Sequence, residues 1–219
     1  MAVNIPAYAL YGEETGPGLG YFIHCETIEA RSAGNEWRIR PHRHPHFFQF
    51  LYISGGESQT VLQDQLFHQD AGTVITMPAG IVHGFRFSED IDGHVITILA
   101  EQASRLFPEN ARVARWFDRP HVVSFPVGSE DRLYFEKSIN RFASEFDARR
   151  QDRDLCLDIA FRHLLMQIYR LGLNSEGGGL ESDDLEDDRL ARLVTLINER
   201  FREHRPVSFY AAETGISAT

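Results

Sequence analysis
The chain has 219 residues, a formal net charge of -10, 42% hydrophobic residues and two cysteines, Cys25 and Cys156. That length holds one sizeable domain and a smaller attachment; two cysteines exclude a disulfide framework, the acidic balance counts against a large nucleic-acid surface, and no apolar run reaches a membrane span. The opening MAVNIPAYALYGEE lacks the basic start and long apolar run of a secretory leader, so a cytoplasmic protein without a membrane partner is expected.

Residues 1–20 read as an irregular arm, because Pro6, Gly12, Gly16, Pro17, Gly18 and Gly20 interrupt regular structure. Tyr21–Glu29 alternates as a strand, and His24 on it is expected to be packed or hydrogen-bonded. Asn35–Arg40 reads as a second strand, with Trp37 and Ile39 on one face and Arg38 and Arg40 on the other. An arginine on that face either enters a pocket, where it would grip a carboxylate through two hydrogen bonds, or stands in solvent. Further strands are expected at Phe47–Ile53, Glu57–Gln63, Leu66–Gln69, Thr73–Met77, Ile81–Phe87 and His94–Leu99, with Gly- and Asp-bearing turns between them. Short strands punctuated this way, without intervening helices, predict an antiparallel barrel or jelly roll.

Two segments of this region carry the chemistry. His42 and His44 lie two apart, so on a strand both imidazoles leave one face. Pro78-Ala79-Gly80 signals a turn before the strand that carries His83. Three imidazoles converging in a barrel would suit a divalent first-row transition metal such as iron, nickel, zinc or copper. Alternatively, they serve as hydrogen-bonding groups in a pocket without a metal. His46 and His68 are expected at the surface or rim. The spacing of His42, His44, Gln49 and Gly56, followed by Gly72, Pro78, Gly80 and His83, resembles the paired motifs of the cupin barrel. Gln49 stands where that family carries a Glu ligand, and Phe87 where it carries an Asn. By this resemblance His42, His44, His83 and Gln49 form the candidate metal set, Gln49 offering only a neutral amide oxygen.

After residue 100 the period changes. Glu101–Phe107 is expected to be a short helix ended by Pro108, and Val122–Phe125 a returning strand. Ser129 is a candidate N-cap for a helix that carries Leu133, Phe135, Ile139, Phe142 and Phe146. A second helix, from about Asp152 to Leu171, carries Leu155, Ile159, Leu164, Met166 and Ile168 on one broad apolar face. These helices pack on the barrel, form a helix-to-helix homodimer, or do both. Residues 172–184 then read as a flexible acidic linker; seven acids between Glu176 and Asp188 supply much of the net charge.

Asp187–His204 is strongly amphipathic through Leu190, Leu193, Val194, Ile197 and Phe201, and Pro206 ends it. A short helix follows, capped by Ser208 and stopped by Gly215, and Ser217 would cap a third helix reaching past Thr219. RPVSFYAAETGISAT resembles the first helix-turn-helix of AraC/XylS regulators, in which a cupin sensor joins a DNA-binding domain through helices and a linker. By that resemblance the fold is mainly β: an arm (1–20), a cupin barrel (21–128), a helical segment (129–171), a linker (172–184) and an incomplete helix-turn-helix domain (185–219). Ser208, Ser217 and Thr219 are its DNA-binding positions, and this chain alone is not expected to bind its operator specifically. The wording of EWRIRPHRHPHFFQFLYISGGE and MPAGIVHGFRF is similar to regulators that respond to 4-hydroxybenzoate or 4-hydroxyphenylacetate. This similarity implies a small aromatic acid effector, for which Arg38, Arg40, His42, His44, Gln49, His83 and Phe85 are the candidate contacts, and a non-enzymatic, dimeric protein. The alternative is a metal-dependent cupin enzyme, a dioxygenase or isomerase, acting on an aromatic or keto acid.

Overall fold
A computed structural model describes residues 22–63, 65–107, 111–148, 150–175 and 205–215, with isolated positions between 193 and 203. The barrel strands are β1 (Ile23–Thr27), β2 (Arg38–His42), β3 (Phe47–Gly55), β4 (Glu57–Leu62), β5 (Gln65–Asp70), β6 (Thr73–Met77), β7 (His83–Phe87), β8 (Asp92–Leu99) and β9 (His121–Ser124). They form one sheet in the order β1-β8-β3-β6-β9 and a second in the order β2-β7-β4-β5. Every pairing is antiparallel.

The apolar run of β3 explains the layering. Leu51 and Ile53 face inward and meet Met77, Phe85 and Phe87 between the sheets. Phe48, Phe50 and Tyr52 alternate with them and face outward into a second core. A strand buried on both faces needs such continuous apolar sequence. The outward core is closed by α4 (Glu130–Asp147) and α5 (Arg153–Ser175), which supply Phe135, Ile139 and Phe142 and Leu157, Phe161, Leu164 and Ile168. Ser129 caps α4 as expected, accepting from Arg132 N at 3.2 Å.

Several boundaries differ from the sequence expectation. Thr27 ends β1 early: its Oγ1 accepts from Ala30 N and starts a short helix, α1 (Ile28–Ser32). Glu36 and Trp37 follow with φ of 53° and 57°, so β2 begins only at Arg38. The first expected helix beyond the barrel is α2 (Ala100–Ser104), and α3 (Ala111–Trp116) was not foreseen. The expected broad face of α5 divides. Leu155 and Ile159 are 62% and 60% exposed, whereas Leu157 and Phe161, two residues further on and so roughly 200° around the helix, are buried. Leu133 on α4 likewise points outward.

Residues 172–175, expected to open the linker, are helical, because α5 runs on to Ser175. Gly172 is not a helix stop: a Cβ there would lie 2.4 Å from Cζ2 of Trp116, so its bareness admits the indole. In the last described helix, α6 (Val207–Thr214), the N-cap is Pro206 in extended conformation, and Ser208 sits inside the first turn rather than at the cap. Proline's fixed φ and missing N–H suit that boundary. Gly215 closes α6 in the left-handed conformation, as expected. The arm (1–20), residues 176–184, most of Asp187–His204, and Ser217 and Thr219 lie outside the described residues. Among the described residues no helix is long and apolar enough to cross a membrane.

Candidate functional site
The histidine trio assembles from two strands and a turn. His42 on β2 and His83 on β7 are direct cross-strand partners. His44 lies just past β2, and its carbonyl accepts from Gly80 N at 2.9 Å. Gly80 has φ +81°, and Ile81 N donates to Pro78 O at 3.3 Å, the geometry of a type II turn over Pro78-Ala79-Gly80-Ile81. The Pro-x-Gly spacing thus fixes where His83 starts its strand and where His44 ends.

All three imidazoles are buried, at 2–3% exposure. Their ring centroids lie 4.4 Å (His42–His83), 4.8 Å (His42–His44) and 5.4 Å (His44–His83) apart. His42 Nδ1 is 2.8 Å from Arg40 O, and His83 Nδ1 is 2.9 Å from Ile81 O. A carbonyl can only accept, so both Nδ1 atoms carry the proton and both Nε2 atoms are acceptors in the neutral rings. His42 Nε2 meets His44 Nε2 at 3.1 Å, which makes His44 the donor of that pair. Desolvation lowers the His42 pKa, and burial, with the neighbouring His42, pulls His83 down to about 3. His42 and His83 are therefore neutral near pH 7.

This set fits a metal. One ligand atom from each of His42, His44 and His83 lies within 4.8 Å of the others. Metal–nitrogen bonds of about 2.0–2.1 Å place ligand atoms roughly 3 Å apart, so the His42–His44 separation already matches. Backbone carbonyls pinning Nδ1 are the usual way a ligating histidine is oriented. Gln49 on β3 faces the cluster from the opposite sheet, its Nε2 donating to Thr97 Oγ1 at 2.9 Å.

Of the other candidates, Phe85 lines the same interior, 5.9 Å from His83 and stacked on Phe87. Arg38 and Arg40 do not line it: both are exposed, and Arg40 reaches the site only through its carbonyl. The arginine that does line it is Arg31 of α1, 12% exposed in its side chain and ion-paired with Glu26. Sequence reasoning passed over Arg31 because the expected strand stopped at Glu29 and no element was assigned before Asn35. The Thr27-x-x-Ala30 cap was the signal available. The interior cavity has a volume of about 10 Å³, room for one water-sized group. His46 and His68 are exposed, and His24 packs edge-on against Phe146, as expected.

Two antiparallel sheets enclosing a buried histidine trio, with helices on one sheet, define a cupin-like domain. Residues 26–194 match the family model of the AraC-like ligand binding domain, and the chain belongs to that family. No curated protein matches the chain. Among solved structures it is similar to the AraC-like transcriptional activator CuxR, at 12% identity and a TM-score of 0.41, over 89% of this chain and 64% of that one. ToxT from Vibrio cholerae matches at 9% identity and a TM-score of 0.37, over 90% of this chain and 70% of ToxT. KdgF from Halomonas sp. matches at 19% identity and a TM-score of 0.27, over 29% of this chain. The chain spans 57% of the length of KdgF.

Proposed function
We propose that this chain is the sensing part of a ligand-responsive AraC-family transcription regulator. Its effector is a small aromatic carboxylic acid, and binding is transmitted to a helix-turn-helix segment beginning near residue 185. The family match over residues 26–194 carries this reading. His42, His44 and His83, with Gln49 as a neutral oxygen donor, would hold a divalent transition ion. Bound there, the ion supplies a Lewis-acid centre. The exposed Leu133, Tyr134, Leu155 and Ile159 on the helical layer support a homodimer formed through α4 and α5.

The buried histidine trio favours one competing reading, a metal-dependent enzyme. Ligand-observed proton NMR in air, with ferrous iron and a panel of hydroxylated aromatic acids, separates the two. A sensor broadens the resonances of one or two acids and leaves their total intensity unchanged over hours. Loss of those resonances with growth of new ones would mean turnover and overturn the sensor reading.

A further inference from the structure
The interior of the closed barrel, about 10 Å³, is water-sized and smaller than an aromatic ring. Small-molecule sites are commonly 300–1,000 Å³, on the order of what two other cavities offer. One, of about 310 Å³, lies between the barrel and the helices among Phe48, Ala103, Phe117 and Leu165, and its wall carries Asp118. That carboxylate repels an acid. The other is a groove of about 570 Å³ where β5 and β9, the outermost described strands of the two sheets, face each other.

This groove has the chemistry the smaller cavity lacks. Leu62 and Phe67 from the second sheet and Val122 from β9 give an apolar wall. Exposed Arg119 supplies a cation, and the amides of Gln63 and Gln65 supply further donors. His121, which also lines the groove, lies flat on Trp116, with centroids 3.5 Å apart and planes 5° apart, held by its Nε2 donating to Trp116 O at 2.7 Å. Trp116 also presses against Gly172, which itself lines the groove.

We propose that the aromatic acid binds in this groove and not at the histidine cluster. Its ring lies on Phe67, Leu62 and Val122, and its carboxylate pairs with the Arg119 guanidinium. The inference depends on the aromatic-acid reading above and adds a place and a route. Gly172 stands three residues before Ser175, the end of α5, so a ligand here touches both sheet edges and the last turn of the helix leading to residues 176–219.

The test is calorimetric titration of the full chain with 4-hydroxybenzoate, beside Arg119→Gln, Gln65→Glu and His83→Ala. Arg119 and Gln65 are exposed, so neither variant threatens the fold. Loss of a charge-assisted pair is worth about tenfold or more in Kd. Arg119→Gln and Gln65→Glu are each expected to weaken binding at least about tenfold, with His83→Ala, checked for native circular dichroism, within about threefold. In a Trp37→Phe background, where Trp116 is the remaining indole, titration should change the fluorescence. Parent-like affinity in both groove variants, with loss in His83→Ala, would place the acid in the barrel: this inference fails and the sensor reading stands. No binding to the parent by 4-hydroxybenzoate or any other acid of the panel overturns both.

Discussion

Phe161→Ala tests whether the helices and the barrel fold as one body. Phe161 is 1% exposed and sits where α5 crosses β3. Its ring lies 5.7 Å from Phe50 at 30°, 6.5 Å from Phe48 edge-on, and 6.3 Å from Phe142 on α4. Removing the ring forfeits burial worth about 1.5–3 kcal/mol and leaves a cavity among rigid rings, so the total cost should be about 3–5 kcal/mol. For a chain of this size that is a fall in Tm of roughly 6–20 °C. The assay is thermal melting followed by far-ultraviolet ellipticity for the helices and, in a Trp116→Phe background, by the fluorescence of Trp37, which packs on the inter-sheet core, for the barrel side. Because one contiguous core joins the first sheet to α4 and α5, both signals should shift together. A helix signal that melts alone, with the fluorescence transition unmoved, would refute the single core.

Cys25 and Cys156 should behave oppositely. Burial, aided by Asp147 and Glu26, pushes the Cys25 thiol up to about 12, whereas Cys156 is exposed. The native chain is expected to react with maleimide at Cys156 alone and the denatured chain at both; rapid native labelling of Cys25 would contradict its burial. Unfolding frees Cys25 to ionise near its ordinary value, so the unfolded state loses protons first as pH rises. Stability should therefore be whole below about pH 9 and fall above it by at most about 1.4 kcal/mol per pH unit from this group. Denaturant titration of the parent and Cys25→Ala at about pH 8 and about pH 10 measures that difference. Tyr52→Phe removes the hydroxyl that donates to Glu136 Oε1 at 2.8 Å, while Arg132 Nε still holds Glu136 at 2.9 Å. A loss of about 0.5–1.5 kcal/mol is expected by the same titration, and a much larger one would mean that Arg132 cannot hold Glu136 by itself.

What could be read from the residues was the periodic and the punctuated. The strands from Phe47 to Met77 fall close to their expected bounds because alternation and glycine turns act locally. The histidine trio was legible because His42 and His44 stand two apart and the turn at Gly80 sets the start of β7, although only His42 lies on the strand and His44 follows its end. Elsewhere a tertiary contact decided the outcome. Gly172 looks like a linker residue until the Trp116 ring is placed on it. Leu155 and Leu157 are equally apolar, and only the position of the barrel shows which one faces it. Arg38 and Arg40 were placed on a strand face correctly, yet sequence could not say that this face of the second sheet is turned to solvent and that Arg31 comes in from a neighbouring helix.

The first sheet ties these regions together physically. Its inner face presents Gln49 and Thr97 to the histidines, and its outer face carries the helices on Phe48, Phe50 and Tyr52. Its β9 edge forms one lip of the groove, with β6 pairing β9 along Thr73–Thr76. An effector shifts a conformational equilibrium only by its difference in affinity for the two states. A ligand spanning β5 and β9 acquires such a difference if the two edges stand at different separations in the two states, because Arg119 and Phe67 approach it from opposite lips. A change at β9 would then bear on Trp116 through its stack with His121, and on Tyr169 and Gly172 of α5 through Trp116. The histidine cluster lies on the opposite sheet and would contribute rigidity of β2 and β7, so a bound ion and a bound acid would act on different parts of one barrel.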